Sequence, residues 1–422
     1  MANTSINRAF SSSSTNTKAT WSFWIKRNKV SVEQWIFQTR DAASNNYRTY
    51  IRFAANDQMD MRIYNTNATL VGQLQTNRVF RDVNAWYHIV YRMDTTQANT
   101  GHRLRLYVNG VEETSFSVDT QMNNGQQVRT VSSGSTAWGR NAPSNDSFLD
   151  GCLSHVNFIE GEDRTPDFFG EYDANGVWKI KTSPTGFTYG SNGYFILKDG
   201  NSVTDQSGNS NNFTVAGGTL TKTEDCPSNV FATLNPLARF QVAPTYSNGN
   251  NTITAGAGGS GSSPFSTIGA SSGKYYAELS LGSVSGGGIS CGIIDITKFN
   301  PNFQTDAWFY YPTYGYAYMS SNGNKGNNNA ETSYANSYTN GDRIGVAMDL
   351  DNNKLYFAKN GVWQNSGDPT SGATGTGAAF TIADGTYGFA VYGYDSKVWN
   401  ANFGNGYFGT TAVSSAGTNA SG

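Results

Sequence analysis

The sequence lacks the features that mark disulfide-stabilised, secreted or membrane-spanning chains. Its three cysteines, Cys152, Cys226 and Cys291, are odd in number and far apart, so they form no disulfide framework and no CxxC metal spacing. No apolar run approaches the ~20 residues of a membrane helix. The first residues also lack the charged and then apolar layout of a signal peptide. We therefore expect a chain that is made in a cytoplasm and does not insert into a bilayer.

Charge is scarce as well. Charged residues make up 14% of the 422 residues, and the formal net charge is −2. A chain with so weak an overall field has no general attraction for nucleic acid or for an anionic membrane surface. Nucleic acid is therefore not an expected partner, and neither is a lipid surface.

Aromatic residues and glycine are abundant instead, with 24 Tyr, 24 Phe and 47 Gly. Aromatic side chains favour strands, and glycine with Asn, Ser and Thr favours tight turns. This composition is typical of a turn-dense β-protein. The length is sufficient for two or three domains of ~100–200 residues each.

Two stretches carry the strand pattern most clearly, Leu104–Glu113 and Lys354–Gln364. In each, apolar side chains recur at every second position, which is the period of a half-buried strand. Asn109-Gly110 and Asn360-Gly361 then supply residues that tolerate the positive φ of a two-residue type I′ turn. The repeated hairpin predicts two antiparallel β-domains in series.

The rest of the chain is organised around these two hairpins. Strand patterns recur over residues 1–161 with no amphipathic helix between them, which predicts a jelly-roll sandwich. Over residues 162–240, Thr165-Pro166-Asp167 predicts the start of one short helix, and a few short strands complete a structured connector. Residues 241–422 begin with a Gly/Ser-rich segment, which indicates a loop or a flexible link. Strand patterns resume after it and predict a second sandwich. The expected fold class is all-β.

Motifs in both halves resemble known sandwich families. Four stretches resemble a laminin-G/concanavalin-A-like jelly roll: Ala19–Lys26, Ala85–Val90, Leu106–Gly110 and Asp150–Val156. Four later stretches resemble a SPRY sandwich: Gly273–Glu278, Gly341–Asp351, Phe357–Gly361 and Val398–Gly404. The sequence that links the two sets of motifs is similar to virion proteins of marine bacteriophages. Four stretches carry this similarity: Phe169–Glu171, Trp178–Pro184, Gly193–Asp199 and Phe231–Pro236.

This resemblance implies a non-enzymatic virion surface protein, a tail-fibre-type adhesin that contributes to recognition of a host-surface glycan or protein. Its partners would be other virion proteins and the host receptor, and it would be a homo-oligomer, with a trimer favoured. It would be assembled in the host cytoplasm and lie on the virion surface. No cofactor is expected. Laminin-G-like domains often hold calcium, so a structural calcium ion remains open, with no metal ligands assigned.

Two other functions stay open. One is a capsid decoration or structural assembly protein that binds no receptor. The other is a glycan hydrolase, which needs two acids at a fixed separation in a groove. Glu160–Asp163 is the densest acidic cluster, and we interpret it as a solvated turn.

Motifs for other chemistry are weak. Gly288–Gly292 fits the GxSxG string of a nucleophile elbow, but all three histidines precede it in the chain. His88 is expected to be packed or hydrogen-bonded, not bound to metal. Asp349–Asn353 begins like a calcium loop, yet Lys354 stands where the turn glycine belongs, so a hairpin turn is favoured.

One aromatic segment, Asp306–Tyr318, contains seven aromatic residues in thirteen positions. Proline and glycine interrupt it, which indicates a loop between strands. Tyr and Trp combine a flat apolar ring with a hydrogen-bonding edge and suit sugar rings or protein partners. We predict the ligand-binding aromatic residues to be Trp308, Tyr310, Tyr311, Tyr314, Tyr316 and Trp363. The alternative is that the segment packs against a neighbouring subunit or fills its own core.

Overall fold

The computed structural model describes residues 3–12, 14–41, 47–65, 68–142, 144–198, 202–238, 242–257, 261–283, 288–298 and 308–414. The protein is all-β, as predicted, and its named helical segments are single 3-10 turns: Thr100–His102, Pro166–Phe168, Ile296–Lys298, Gln364–Ser366 and Gly372–Thr374. None of the helices in these ranges has the length and apolar character that a membrane span requires. The chain divides into two compact units, Met1–Val230 and Phe231–Gly422.

The first unit is a sandwich of two antiparallel sheets. Its strands are β1 (Ser5–Arg8), β2 (Ser14–Asn16), β3 (Lys18–Arg27), β4 (Gln34–Arg40), β5 (Arg48–Phe53), β6 (Gln58–Tyr64), β7 (Leu70–Val79), β8 (Trp86–Asp94), β9 (Leu104–Val108), β10 (Val111–Glu112), β11 (Phe116–Thr120), β12 (Val128–Val131), β13 (Ser135–Trp138), β14 (Gly151–Glu160), β15 (Gly170–Tyr172), β16 (Trp178–Ile180), β17 (Tyr194–Ile196) and β18 (Thr214–Gly217). One sheet has the order β11-β7-β6-β5-β4-β13-β1-β18, and the other has the order β10-β9-β8-β3-β14-β17. The remaining four strands form two separate two-stranded sheets, β12-β2 and β15-β16.

Alternation of side chains explains how these strands close around one core. In β6, Met59, Met61 and Ile63 are fully buried between the sheets, so the side chains between them point outward. The hairpin between β9 and β10 turns at Asn109 and Gly110, whose φ angles are 50° and 81°. Both are positive, as a type I′ turn requires, and the predicted hairpin is confirmed.

Residues 162–230, which make up most of the expected connector, belong to the first unit. β17 extends the six-stranded sheet by pairing with β14, and β18 pairs with β1 in the other sheet. The short helix expected at Thr165 is a single 3-10 turn, because Gly170 already begins β15. This segment is therefore continuous with the sandwich.

The same segment covers the outward face of the six-stranded sheet. Phe169 packs in a cluster with Val90 and Ile159 from that face. Lys26 forms a buried ion pair with Asp225, with Nζ and Oδ2 at 2.6 Å. Because the core lies on one side of this sheet and residues 162–230 on the other, β3 is buried along almost its whole length.

The second unit is also a two-sheet sandwich. Its strands are β19 (Thr245–Ser247), β20 (Thr252–Thr254), β21 (Lys274–Ser283), β22 (Ser290–Asp295), β23 (Gly315–Met319), β24 (Lys325–Asn327), β25 (Ala330–Thr332), β26 (Arg343–Asp349), β27 (Lys354–Lys359), β28 (Val362–Trp363), β29 (Phe380–Thr381), β30 (Tyr387–Tyr392), β31 (Val398–Asn402), β32 (Tyr407–Phe408) and β33 (Thr411–Ala412). The larger sheet has the order β19-β20-β31-β21-β26-β27-β28, with β29 also paired to β27. A five-stranded sheet has the order β25-β24-β23-β22-β30, and β32 and β33 form a separate two-stranded sheet.

The core of the second unit lies between these two sheets. Trp399 and Tyr318 are fully buried there, together with Phe357 from the predicted hairpin. Asn360 and Gly361 turn that hairpin with φ angles of 50° and 82°. The second hairpin is therefore also confirmed, and it has the same turn chemistry as the first.

Candidate functional site

The predicted aromatic segment folds largely back onto its own unit. Asp306-Ala307 lies outside the described residues, so the segment is described from Trp308 onward. The indole of Trp308 stacks on the ring of Tyr392, with centroids 3.9 Å apart. The Tyr310 hydroxyl donates a hydrogen bond to Glu331 Oε1 at 3.0 Å. Both side chains therefore already have partners within the second unit.

Two of the predicted binding residues are core residues. Tyr310 and Tyr316 are each only 5% exposed. Tyr316 lies in β23 and not in a loop, because the strand begins at Gly315 and alternate side chains from there enter the core. The Tyr316 hydroxyl accepts a hydrogen bond from the backbone of Ala383. Neither side chain is offered to a ligand in this arrangement.

The other four predicted residues lie in two places. Trp308, Tyr311 and Tyr314 are half-buried against the outward face of the five-stranded sheet, and we call these three side chains the aromatic patch. Trp363 lies in β28 of the other sheet, with its ring centroid 6.1 Å from that of Tyr276. The buried Tyr310 packs against Trp308 and Tyr311, with ring centroids 5.5 and 5.2 Å apart, so the structure brings four of the six residues together.

A second polar and aromatic surface lies on the first unit, on the outward face of the eight-stranded sheet. Alternate side chains of β4, β5, β6 and β7 point away from the core, and the strand register aligns them in rows. The first row is Arg40, Arg48 and Tyr64; the second is Gln38, Tyr50, Arg62 and Gln73; the third is Trp35, Arg52, Asp60 and Gln75. These side chains, with Glu33 at the margin, form what we call the arginine–aromatic face.

Asp60 organises the second and third rows of this face. It is fully buried, and its carboxylate accepts hydrogen bonds from Arg52 Nε at 3.0 Å, from Arg62 Nε at 2.9 Å and from Gln73 Nε2 at 2.9 Å. Arg52 forms a second ion pair with Glu33. A buried carboxylate with this many donors is satisfied, and it holds both guanidinium groups in place.

The aromatic rings of the face pack against each other and against the arginines. The ring centroids of Trp35 and Tyr50 are 4.3 Å apart, and those of Tyr50 and Tyr64 are 6.1 Å apart. The Arg48 guanidinium lies 4.1 Å from the centre of the Tyr64 ring. Such cation–π contacts favour a fixed, parallel arrangement of guanidinium and ring. The face is therefore a preorganised layer.

The local field at Tyr64 favours negative charge. Burial by itself would raise the pKa of Tyr64, but hydrogen bonds with Arg62, Tyr50 and Arg48 outweigh it, and the pKa is lowered. Burial raises the pKa of Tyr50, which stays protonated. The arrangement combines guanidinium and amide donors with a hydroxyl group at an aromatic edge. Trp35, Gln38, Tyr50, Asp60 and Gln73 are buried within this layer. The partly exposed groups, which can bind the hydroxyl groups and any anionic substituent of a sugar, are those of Arg40, Arg48, Arg52, Arg62, Tyr64 and Gln75.

Sequence reasoning missed this surface. The alternation of Asp60, Arg62 and Tyr64 with the buried residues of β6 was visible, and it indicated only the outward side of a strand. Arg48, Tyr50 and Arg52 repeat the pattern in β5. Two neighbouring strands that both place Arg and Tyr on the outward side are the signal that could have identified the face, but only strand pairing shows that they are neighbours.

The other predicted chemistry finds no support in the geometry. Among the described residues, no group of three or more His, Cys, Asp or Glu side chains could hold a metal ion. Asp349 accepts hydrogen bonds from the Asn352 side chain and forms an ion pair with Lys274 at 3.1 Å. The calcium-like string is therefore part of the turn between β26 and β27, as predicted.

The acidic cluster also has structural partners. Burial would raise the pKa of Glu160, but hydrogen bonds from Asn192, Ser14 and Asn16 outweigh it and lower the pKa. The pKa of Glu162 is likewise lowered, since hydrogen bonds with Thr188 and Arg164 outweigh burial. A general acid for glycan hydrolysis needs a raised pKa. Neither glutamate is suited to that role.

Comparisons with known proteins agree with the two-unit fold. The model of the concanavalin A-like lectin/glucanases superfamily matches residues 3–162, and the SPRY domain model matches residues 288–404. No curated protein matches the chain significantly. The crystal structure of the SPRY domain of human HERC1 is 19% identical, with 40% of this chain and 98% of that chain covered and a TM-score of 0.32. A crystal structure of a human SPRY domain is 17% identical over 38% of this chain and 95% of that chain, with a TM-score of 0.30.

The two family matches fall in different units of the chain. Residues 3–162 lie within the first unit, and residues 288–404 lie within the second. Domains of both kinds are lectin-like or binding modules, which indicates a binding or adhesion role. The chain therefore carries a concanavalin A-like domain followed by a SPRY domain.

Proposed function

We propose that this protein is a bacteriophage virion surface protein, a tail-fibre-type adhesin that binds a host-surface glycan without catalysis. The observation that carries the proposal is the arginine–aromatic face. Its guanidinium, amide and phenol groups stand in register on one outward sheet surface. Planar donors and aromatic edges are the groups with which proteins recognise sugar hydroxyls and rings. The similarity of the segment after β14 to virion proteins of marine bacteriophages supports the virion assignment.

In this proposal the protein is assembled in the host cytoplasm and displayed on the virion as a homo-oligomer, with a trimer favoured. Its partners are other virion proteins and the host glycan. Each copy binds weakly, and several copies linked on one particle bind tightly through a high effective concentration. The partly exposed side chains of the face suit such repeated weak contacts.

The test is binding of the purified full-length protein to cells of a panel of marine bacterial strains and to polysaccharides extracted from them. We expect the parent to bind at least one strain and the Tyr64→Ala variant to lose most of that binding. Tyr275→Ala removes an exposed tyrosine from the second unit and is the matched control. The proposal fails if the parent binds no strain, or if Tyr64→Ala binds as well as the parent.

One observation favours a second candidate, a capsid decoration or assembly protein. The aromatic patch is half-buried within its own unit and exposes apolar ring surface that another virion subunit could cover. Electron microscopy of the particle with an antibody against this protein separates the two functions. Labelling of the head disfavours first contact with the host, and labelling of the tail tip disfavours capsid decoration.

A further inference from the structure

The first row of the arginine–aromatic face breaks a rule of strand pairing. Arg40 and Arg48 lie directly opposite each other across β4 and β5. Like charges in directly opposed positions of an antiparallel pair destabilise the sheet. No ion pair of the described residues relieves this opposition, and a local conflict with folding is typical of a functional position.

The contacts of these two arginines do not neutralise them. Arg40 Nε donates to the backbone carbonyl of Asp41 at 3.3 Å, while the Asp41 carboxylate pairs with Arg129. Among the ion pairs formed by the described residues, none includes Arg40 or Arg48. Two full positive charges therefore lie side by side without a carboxylate partner in the described part of the chain.

The other arginines of the face are different. Arg52 and Arg62 both pair with Asp60, and Arg52 also pairs with Glu33. The whole face has four arginine and two acidic side chains, so its excess positive charge is concentrated in the first row. The face is thus polarised: one end is neutralised and the other is cationic.

Tyr64 completes the cationic end. Its ring supports the Arg48 guanidinium at 4.1 Å, and its hydroxyl is hydrogen-bonded by Arg48 and Arg62. Arg40, Arg48 and Tyr64 are all partly exposed, so a ligand can reach them. Arg48 Nε is itself buried, so a ligand would reach the partly exposed remainder of the guanidinium group.

We propose that Arg40, Arg48 and Tyr64 bind the carboxylate or sulfate group of an acidic polysaccharide. This inference rests on the proposed adhesin function and specifies its ligand class. A planar guanidinium matches the two oxygens of a carboxylate or sulfate group.

The test compares three polymers against the immobilised full-length protein: dextran sulfate, alginate and neutral dextran. We expect dextran sulfate or alginate to bind at least tenfold more tightly than dextran, and added salt to weaken that binding. Comparison of dextran sulfate with alginate shows whether sulfate or carboxylate is preferred. If neither charged polymer binds more tightly than neutral dextran, the inference is wrong.

Variants assign the binding to the first row. Arg48→Gln and Arg40→Gln are each expected to weaken binding of the charged polymer about tenfold, and Arg48→Lys, which keeps the charge but loses the planar fork, to weaken it less. Lys222→Gln removes an exposed charge elsewhere and is expected to change nothing. The hydrogen bond of Arg40 among the described residues is to a backbone carbonyl, so Arg40→Gln remains informative if Arg48→Gln unfolds at a lower temperature than the parent. Parent-like binding by both glutamine variants contradicts the assignment.

Two further outcomes separate this inference from the function on which it rests. If the variants lose polymer binding but the parent binds no bacterial strain, the anion site stands and the adhesin function fails. If strains are bound through Tyr64 while charged and neutral polymers bind equally, the adhesin function stands and the acidic ligand is wrong. DNA or anionic lipid vesicles are also added as competitors of the charged polymer. If either competes as well as free polymer does, the first row is a general anion-binding surface, and the polysaccharide site is contradicted.

Discussion

His88 shows how its neighbours determine the state of one buried side chain. Its ring stacks on Trp24 with centroids 4.8 Å apart. The indole N–H of Trp178 donates to Nδ1 at 3.0 Å, and Ser22 Oγ lies 2.9 Å from Nε2. An indole nitrogen can only donate, so Nδ1 accepts and Nε2 carries the proton. Burial lowers the pKa of His88 to about 3, and His155 adds to the effect.

This arrangement predicts a pH-dependent stability. Between its unfolded pKa near 6.5 and its folded pKa near 3, His88 is protonated only in the unfolded chain. The unfolded state then binds more protons, so stability falls as pH falls, by about 1.4 kcal/mol per pH unit for one group. Urea unfolding of the parent and of His88→Gln between pH 6 and pH 4.5 should give a shallower dependence for the variant. Glutamine can keep both hydrogen bonds, since it has a donor and an acceptor.

The exposed His102 provides the control for this experiment. His102→Gln should retain the pH dependence of the parent. Equal slopes for the parent and His88→Gln would show that another group causes the acid sensitivity.

At the scale of elements, the turn sequences predicted the hairpins but not what packs on them. Asn109-Gly110 and Asn360-Gly361 have the same residues and nearly the same φ angles. A Cβ at Gly361 would meet no atom within 4 Å, whereas one at Gly110 would lie 2.6 Å from the ring of Trp178. Both turns use the same residue types because both need positive φ angles, which Asn and Gly tolerate. Only the first turn is also a docking surface for β16.

We therefore expect Gly110→Ala to be more destabilising than its backbone strain accounts for. Gly161 lies in the same unit and has a similar φ of 85°, but a Cβ there would meet no atom within 4 Å. Gly161→Ala therefore measures the backbone strain alone, which we expect to lower the free energy of unfolding by about 1–2 kcal/mol. Gly110→Ala must also displace the Trp178 ring. Equal losses of unfolding free energy in denaturant titrations would mean that the indole moves without cost.

The candidate site also depends on neighbours that the sequence does not identify. The aromatic segment was prominent because Tyr and Trp serve equally in cores and in binding surfaces. Tyr316 proved to be a core residue because β23 starts one residue before it. The arginine–aromatic face was not recognised, because its charges become a cluster only when β4, β5 and β6 pair in register. Sequence spacing along one strand does not contain that information.

At the scale of the whole molecule, the boundary of the first unit lies later than the strand patterns indicate. Tyr194, in β17, is fully buried in the core and accepts a hydrogen bond from Trp138 Nε1 at 3.0 Å. Asp225 neutralises the buried Lys26. Removal of one partner of a buried ion pair is strongly destabilising. Residues 162–230 are therefore required by the first unit.

Two fragments test this boundary. We expect fragment 1–230 to be soluble and to melt in one cooperative transition. Fragment 1–161 should aggregate or melt at a much lower temperature, because it loses the core ring of Tyr194 and the cover over Val90 and Ile159. Circular dichroism melts of both fragments provide the measurement. Equal melting temperatures would show that the first sandwich is complete at residue 161.

The sequence by itself determined the all-β class, the two sandwiches in series and both type I′ hairpins. These features depend on side-chain alternation and turn residues, which are local properties of the chain. Only the tertiary structure decided that residues 162–230 cover the first sandwich, that Tyr316 is internal and that Arg40 and Arg48 stand side by side. Each of these depends on contacts between distant segments, and the packing of the whole core selects among them.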